Sequence, residues 1–492
     1  MISTFVRVPT LVALTLLLAA APVQAARTWG SLRFAPCTLA APGMPVTVPA
    51  QCTSLEVPED RSHPRGRRIR LAIAWIPTDA KQPQPDPVVM IAGGPGQSAL
   101  QSFAPVASAF GEILRHRSVL LVDQRGTGGS NPLNCPAARW SSIVSSAEAS
   151  PATARGFAEQ CLQGLAADPR FYTTSDAIDD LEAVRAAVGA PSLNLVGISY
   201  GTRVALEYLR RFPSTTRTVV LDGVVPPELV LGADHARNLE AALDAQFDRC
   251  AADAACARRY GSLRQSLDAL RVRLRTEPQV VRFRDPLTNE PREQMLTEST
   301  VAGVVRLYAY VPQLFAMLPL SLAEASAGRP ETLMAQASMI ENLVGEQIAQ
   351  GMELSVTCSE DARWLQPRPE DSETLMGDAF VTAIKAQCEV WPRGRVPADF
   401  HQPVERDAPV LLLSGEFDPV TPPRYGDQVV KSLPNGRHLV LRGQGHNVMT
   451  AGCAPRLMAQ FVARADALGL DARCLDQLIR TPVFTGSYGW EP

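Results

Sequence analysis

The sequence has no surplus of positive charge. Lys and Arg together number 47 against 50 Asp and Glu, so the formal net charge at pH 7 is -3. Proteins that bind nucleic acid depend on clustered basic side chains, so we expect no nucleic acid partner. Internal repeats and sustained heptads are also missing, which argues against a repeat array or a coiled coil. With 492 residues, 46% of them hydrophobic, the chain can bury a large core.

Long apolar runs are lacking as well. The longest is the uncharged run 11–21, which follows Arg7 and precedes Val23-Gln24-Ala25. It is shorter than the roughly 20 residues needed to span a bilayer. A basic flank, a short apolar run and small residues at the cleavage position predict a signal peptide over residues 1–25. We therefore expect export to the periplasm or the medium, without stable membrane insertion.

The ten cysteines include no Cys-x-x-Cys pair, and no histidine lies close to a cysteine pair. The sequence therefore predicts no zinc site, and we expect no metal. Behind a signal peptide, an even number of cysteines favours disulfides. Pairing each cysteine with its nearest neighbour in sequence predicts the bridges Cys37–Cys52, Cys135–Cys161, Cys250–Cys256, Cys358–Cys388 and Cys453–Cys474.

Short apolar runs alternate with helical stretches over much of the chain. The runs are 87–92, 118–122, 193–197, 218–221, 409–413 and 438–441. This alternation predicts an α/β fold with a mostly parallel sheet covered by helices on both faces. Residues 26–66, rich in Pro and Thr, are expected to form an irregular N-terminal segment. Residues 228–405 break the alternation and are mostly helical, so we interpret them as a cap inserted between core segments 26–227 and 406–492.

Gly197-Ile198-Ser199-Tyr200-Gly201 stands between an apolar strand and a helix. A nucleophilic serine on a sharp strand-to-helix turn needs small neighbours, because the backbone is crowded there. The motif alone arises often by chance, but this context is the one that supports it. We therefore predict Ser199 as the nucleophile of a serine hydrolase.

A serine hydroxyl needs a base, and only six histidines are available. His446 follows the last predicted strand within Gly443-Gln444-Gly445-His446-Asn447 and is the best candidate. The others precede the serine (His63, His116), lie in or beside the cap (His235, His401) or start a strand (His438).

The base needs a carboxylate to orient it. Asp418 follows the penultimate strand and is preferred to Glu416, because Pro419 marks the loop that carries it. The resulting order, serine then aspartate then histidine, is that of the α/β-hydrolase fold.

Backbone amides are needed to stabilise the oxyanion of the reaction. One donor is expected from Tyr200, the residue after the nucleophile. The other is expected from Gly94 in the loop Gly93-Gly94-Pro95-Gly96, where Pro95 has no N–H to donate. The loop 123–130, which contains Asp123 and Arg125, is expected to support the floor of the site rather than to react.

Several motifs together resemble the prolyl iminopeptidase and tripeptidyl aminopeptidase group, most strongly its secreted, disulfide-bearing bacterial members. They are Gly93-Gly94-Pro95-Gly96, Asp123-Gln124-Arg125-Gly126-Thr127-Gly128, Gly197-Ile198-Ser199-Tyr200-Gly201-Thr202, Glu416-Phe417-Asp418-Pro419-Val420-Thr421-Pro422 and Gly445-His446. The resemblance implies release of residues or short peptides from a free peptide N-terminus, without a cofactor. It also implies acidic cap residues that bind the substrate ammonium, for which Glu360 is the candidate. The chain departs from the group at Ala92, where a histidine is common.

Three other interpretations stay open at this point. A carboxylesterase acting on small esters would use the same triad. A serine carboxypeptidase shares the Gly-Gly-Pro-Gly loop and the order of the triad, but it usually has Glu where this chain has Ile198. A binding protein without enzymatic activity would have no need of an intact triad.

Overall fold

The protein is described from a computed structural model that covers residues 26–135, 150–344 and 348–490. The predicted signal peptide, residues 1–25, lies outside the described residues.

One large sheet organises the molecule. The strands are β1 (Arg27–Trp29), β2 (Leu32–Ala40), β3 (Thr47–Pro58), β4 (Arg68–Ile76), β5 (Val88–Ile91), β6 (Val119–Val122), β7 (Leu193–Ile198), β8 (Thr216–Asp222), β9 (Gln279–Arg284), β10 (Pro291–Leu296), β11 (Val410–Gly415) and β12 (Gly436–Leu441). Ten of them form the sheet, in the order β1-β2-β3-β4-β6-β5-β7-β8-β11-β12. The six strands from β6 to β12 in this order are parallel, which confirms the parallel sheet predicted from the apolar runs.

The first three strands correct the prediction for residues 26–66. This segment is not irregular but forms β1, β2 and β3, which pair antiparallel with one another and with β4. Along β3 the residues vary between buried and exposed, so no continuous apolar run marks the strand. Threonine, which contributed to the interpretation as a loop, is itself a favourable strand residue.

Helices cover the sheet on both faces. In chain order they are α1 (Ala99–Val106), α2 (Gly111–Leu114), α3 (Pro151–Gly164), α4 (Thr174–Val188), α5 (Tyr200–Arg211), α6 (His235–Ala252), α7 (Ala254–Tyr260), α8 (Leu263–Thr276), α9 (Glu298–Ala309), α10 (Pro312–Ser326), α11 (Glu331–Val344), α12 (Gln350–Glu360), α13 (Ala379–Cys388), α14 (Pro423–Val429) and α15 (Ala454–Arg464). Successive side chains of β5 point to opposite faces of the sheet. Val89 packs in one core with α4 and α5, and Val88 packs in the other with α1 and α15.

Helices α6 to α13 and the antiparallel hairpin β9–β10 all lie between β8 and β11. Their buried side chains form a core of their own, which includes Leu243, Leu267, Val304 and Phe315. We keep the name cap for residues 228–405, as interpreted from the sequence. The hairpin was not predicted, and it adds two short strands to a largely helical unit.

The structure contains five disulfides, with the pairing that nearest neighbours in sequence gave. They are Cys37–Cys52, Cys135–Cys161, Cys250–Cys256, Cys358–Cys388 and Cys453–Cys474. Such bridges persist in oxidising compartments outside the cytosol. Within the described ranges, no helix has the length and apolar character needed to cross a membrane.

Candidate active site

Ser199 occupies a tight turn between β7 and α5. Its backbone has φ 55° and ψ -123°, a region that costs energy for a residue with a side chain. A Cβ atom on Gly197 would collide with the backbone of Gly201, and one on Gly201 would collide with the carbonyl of Ile91. The glycines on either side of the serine are therefore required by close backbone approach, and the turn leaves the serine partly exposed.

His446 and Asp418 form a buried pair. His446 Nδ1 and Asp418 Oδ2 are 2.7 Å apart, and the amides of Val420 and Thr421 donate to Asp418 Oδ1 at 2.8 and 2.7 Å. The Thr421 hydroxyl donates to Asp418 Oδ2 at 2.8 Å. These bonds fix the carboxylate against the imidazole, which leaves Nε2 as the ring nitrogen available to a substrate or nucleophile.

The electrostatics of this pair favour its charged form. Burial acts to raise the pKa of Asp418, but the charge and hydrogen bond of His446 and the backbone amides hold it below its ordinary value. Burial likewise acts to lower the pKa of His446, and the Asp418 carboxylate raises it above 6.5. The imidazole is therefore a stronger base than a free histidine.

Asp222, which the sequence reasoning missed, joins the serine turn to the histidine loop. Its carbonyl accepts the Ser199 amide at 2.8 Å. Its carboxylate accepts the amides of Val448, at 2.8 and 2.9 Å, and Met449, at 2.9 Å. Burial raises the pKa of Asp222 to about 6. A carboxylate at the carboxyl end of β8, beside the serine strand, was the signal that could have revealed it.

The serine hydroxyl forms no hydrogen bond with any residue in the described part of the chain. Catalytic hydrogen bonds to serine often tighten only when substrate is bound. Tyr310, from the cap, contacts the histidine instead. Its carbonyl accepts the His446 amide at 2.8 Å, and its ring meets the imidazole edge-on at a centroid distance of 5.3 Å.

The glycine loop after β5 lies directly against the serine. A Cβ on Gly93 would be 3.1 Å from Ser199 Cβ, so this face of the serine is bounded by backbone. Gly94 has φ +103°, a conformation suited to glycine. Tyr200, the other expected amide donor, is the first residue of α5. Both amides therefore belong to segments beside Ser199.

The loop 123–130 is hydrogen-bonded to the residues that follow the glycine loop. Asp123 Oδ1 accepts the Ser98 hydroxyl at 2.7 Å and the Leu100 amide at 3.0 Å. Arg125 binds Asp180 through two bonds of 2.7 Å. Neither side chain points to a reacting atom, which agrees with a supporting role.

Glu360, which the resemblance implied as the ammonium ligand, lies in a buried polar group beside Tyr200. The side chain is 1% exposed, and its two oxygens accept the amide and hydroxyl of Thr174 at 2.7 and 2.9 Å. The Thr174 hydroxyl is also 2.6 Å from the Tyr200 hydroxyl. Burial raises the pKa of Glu360 to about 8. Its contacts thus tie the end of α12 to the residue after the serine.

Arg203 and Asp361 complete this buried group. Arg203 Nη1 donates to Asp361 Oδ2 at 2.8 Å and lies 3.9 Å from Glu360 Oε2. Burial opposes the charge of Arg203, and the carboxylates of Asp361 and Glu360 raise its pKa. One arginine faces two carboxylates, which agrees with Glu360 holding a proton.

A different set of cap side chains has strongly shifted pKa values, and it could not be recognised from the sequence. Glu353 keeps part of its surface exposed, yet burial raises its pKa to about 7, against the opposing charge of Arg306. His235 is also partly exposed, and burial followed by Arg306 lowers its pKa to about 3. The charge of Arg306 acts on both side chains, so the three groups lie near one another in the cap.

No group of three or more His, Cys, Asp or Glu side chains within the described ranges is arranged to hold a metal ion. The arrangement is suited to nucleophilic attack by Ser199, with His446 as base and Asp418 as its orienting carboxylate.

Comparison with known families gives two matches. Residues 86–295 match the family described as alpha/beta hydrolase fold, and residues 373–474 match the family described as TAP-like protein.

The chain is also similar to characterised proteins. Serine protease Hip1 of Mycobacterium tuberculosis is 26% identical over 490 residues, covering 90% of this chain and 91% of that protein. Tripeptidyl aminopeptidase of Streptomyces lividans is 31% identical over 193 residues, 36% of each chain. Among solved structures, proline iminopeptidase of Mycobacterium smegmatis is 20% identical, with 84% of this chain and 99% of that chain covered and a TM-score of 0.41.

Proposed function

Because the chain is an α/β hydrolase with a TAP-like C-terminal region, we propose that it is an exported serine aminopeptidase. It releases residues or short peptides from free peptide N-termini through an acyl-enzyme on Ser199. The observation that carries the proposal is the buried His446–Asp418 pair, 2.7 Å apart, in a loop joined through Asp222 to the Ser199 turn.

In the proposed mechanism His446 Nε2 takes the proton of Ser199 as its hydroxyl attacks the scissile carbonyl. Asp418 orients the imidazole and stabilises the imidazolium. The amides of Gly94 and Tyr200 donate to the oxyanion. His446 then gives the proton to the leaving amine. In the second half of the reaction a water molecule gives a proton to His446 and attacks the acyl carbon, and His446 returns that proton to Ser199 as the acyl group is released. The reaction uses side chains and water, so no cofactor is required.

A free amine on the substrate needs a carboxylate partner, and we assign this role to Glu353 rather than Glu360. The amide of Ala349 donates to Gly96 O at 3.0 Å, so α12 begins against the glycine loop. Glu353 lies one turn further along and has no hydrogen bond or ion pair to its side chain among the described residues. A carboxylate held in such surroundings is stabilised by a cation that enters with the ligand. The names of the relatives, a serine protease and a tripeptidyl aminopeptidase, support peptide substrates.

The test uses paired chromogenic substrates: free-amine prolyl, alanyl and tripeptidyl anilides, the same anilides with blocked amines, and short-chain acyl esters. The proposal expects cleavage of the free-amine anilides, little cleavage of the blocked ones, and loss of all activity in Ser199→Ala. Turnover of esters without any amide cleavage would make the protein a carboxylesterase, which shares the triad and is the alternative function.

Glu353→Gln tests the assignment of the amine site. Removing the charge should raise KM for free-amine anilides by about tenfold, equivalent to about 1.4 kcal/mol, and leave KM for acyl esters unchanged. Glu207→Gln is the matched control, because Glu207 is a buried carboxylate of α5 that pairs with Arg210 at 2.8 Å. Equal effects of Glu353→Gln on anilides and esters would contradict the assignment.

A further inference from the structure

Arg306, on α9, has no carboxylate within 4 Å in the described part of the chain. Two other arginines nearby are paired, Arg271 with Glu298 at 3.2 Å and Arg275 with the same carboxylate at 2.6 Å. Arg306 lies instead over the ring of Phe380, with its guanidinium carbon 5.1 Å from the ring centroid. Its orientation is therefore fixed by an aromatic face, and the charge stays available.

Arg306 lines a groove in the cap. The groove, of ≈ 390 Å³, runs between α9 and α13, and its lining includes Ala302, Gly303, Ala383, Ile384, Arg306 and Phe380. Phe380 stacks on His235 at 5.5 Å. Tyr310, just beyond the end of α9, contacts His446. Arg306 is hydrogen-bonded to Tyr310, so this lining residue lies next to a contact of the proposed catalytic histidine.

The charge of Arg306 acts on three other cap side chains. It opposes the rise that burial gives the pKa of Glu353, and it adds to burial in lowering the pKa of His235. Through its charge and a hydrogen bond it also acts against the rise that burial gives the pKa of Tyr310. An arginine that lines a groove, with no described carboxylate within 4 Å, offers a strong site for an anion of matching shape.

We infer that Arg306 binds a carboxylate of the substrate and makes the enzyme selective for peptides that carry one. The guanidinium donates two parallel hydrogen bonds to that carboxylate, a geometry that lysine cannot reproduce. The carboxylate belongs to an acidic side chain or to the C-terminus of a short peptide. The inference rests on the proposed function for its peptide substrates, and Glu353, on which the charge of Arg306 acts, would bind the opposite charge of the same substrate.

Free-amine peptides in matched sets distinguish the two sources. One set places Glu or Gln at each position in turn with an amidated C-terminus, and the other compares a free C-terminal carboxylate with its amide. The wild-type enzyme should favour one carboxylate-bearing position by at least about tenfold in kcat/KM, equivalent to about 1.4 kcal/mol. Absence of any such preference would overturn the inference without any variant.

Arg306→Gln should abolish that preference by raising KM for the carboxylate-bearing member of each pair while leaving the neutral member unchanged. Arg306→Lys should restore part of it, since it keeps the charge but not the fork of donors. Arg282→Gln, on the exposed hairpin and paired with Glu293, is the control for general loss of charge. Equal changes for both members of each pair would contradict a carboxylate site.

The inference can fail separately from the proposed function. If the wild-type enzyme cleaves esters but no amides, the comparison is repeated with a hemisuccinate ester and its uncharged methyl-capped analogue. A preference for the hemisuccinate that Arg306→Gln removes would support the carboxylate site and reject only the peptidase. Peptide cleavage with no response to substrate charge would reject the carboxylate site and retain the peptidase.

Discussion

Two buried polar networks flank Ser199, and the pKa values of Asp418 in one and Glu360 in the other are shifted in opposite directions. The base-side network comprises Asp418, Thr421, His446 and Asp222, all from segments of the core. The elbow-side network comprises Tyr200, Thr174, Glu360, Arg203 and Asp361, and it joins the core to the cap helix α12. In the first, a carboxylate with a lowered pKa faces an imidazole with a raised one. In the second, burial raises the pKa of Glu360 to about 8.

This difference separates two tasks that burial can serve. Paired charges beside His446 are suited to a proton that moves during each turnover. A carboxyl group that holds its proton beside Thr174 is suited to fixing geometry, because a neutral hydrogen bond carries no charge that must be neutralised. The base-side network should therefore dominate the rate, and the elbow-side network should dominate the pH dependence of stability.

The largest effect is expected from Asp418→Asn. Loss of the orienting carboxylate should lower kcat by about 10⁴-fold on an acyl ester. The acid limb of the pH profile of kcat/KM should also move to lower pH, because the charge that raises the pKa of His446 is gone. Rates and pH profiles on one ester measure both. An acid limb that does not move would show that the limb reports some group other than His446.

A smaller effect is expected from Asp222→Asn. The amide can accept only part of what the carboxylate accepts from Val448 and Met449, so the histidine loop should shift relative to Ser199. A shift approaching 1 Å lowers kcat by about 10²-fold. The pKa of His446, which Asp222 also raises, should fall, and this is read from the acid limb. If only thermal stability changed, with kcat and its pH profile intact, Asp222 would be a structural residue and nothing more.

The smallest effect on rate is expected from Glu360→Gln. Thr174 loses a carboxyl partner, and Tyr200, the proposed amide donor, is then held less firmly. We expect kcat to fall by about tenfold. This is less than the roughly 10²–10³-fold fall expected when a donor is lost completely. KM should not change. The control is again Glu207→Gln, on α5, whose carboxylate pairs with Arg210 and whose substitution should leave kcat unaltered. Equal loss of kcat in both variants would break the distinction between the two networks.

Glu360→Gln should also change how the stability of the protein depends on pH. A carboxyl group with a pKa near 8 when folded and an ordinary value of 4.5 when unfolded binds more protons in the folded state between these values. Its contribution to stability is therefore present at low pH and is lost as pH rises through that window, by up to about 1.4 kcal/mol per pH unit. The free energy of unfolding, measured by urea titration at each pH from 5 to 8, should depend less steeply on pH in Glu360→Gln than in the wild type. An unchanged slope would mean that Glu360 is ionised in the folded protein.

Much of the fold could be predicted because strands buried on both faces are continuous apolar runs, as Val119–Val122 and Val410–Gly415 are. The antiparallel strands β2 and β3 could not, because their buried and exposed residues do not alternate regularly. Ser199, Asp418 and His446 could be chosen as candidates because each follows a strand at the same edge of the sheet. Asp222 satisfies the same rule at β8 and was overlooked.

The position of Glu360 could not be predicted from local spacing. Glu353 and Glu360 are seven residues apart, so they lie on the same face of α12, about 10 Å apart along its axis. Only the docking of the helix decides that the first stays partly exposed and the second is buried. The surroundings of Arg306 were equally hidden, since the sequence does not show which arginines have no described carboxylate within 4 Å.

Both ends of helix α12 are hydrogen-bonded to segments beside Ser199. Its start is hydrogen-bonded to the glycine loop through Ala349 and Gly96, and its end is bound to Thr174 through Glu360. The cap therefore cannot swing away as a separate lid without disturbing the segments that border Ser199. Under the proposed function, this attachment would limit access to Ser199 to substrates that fit beneath a cap held in place.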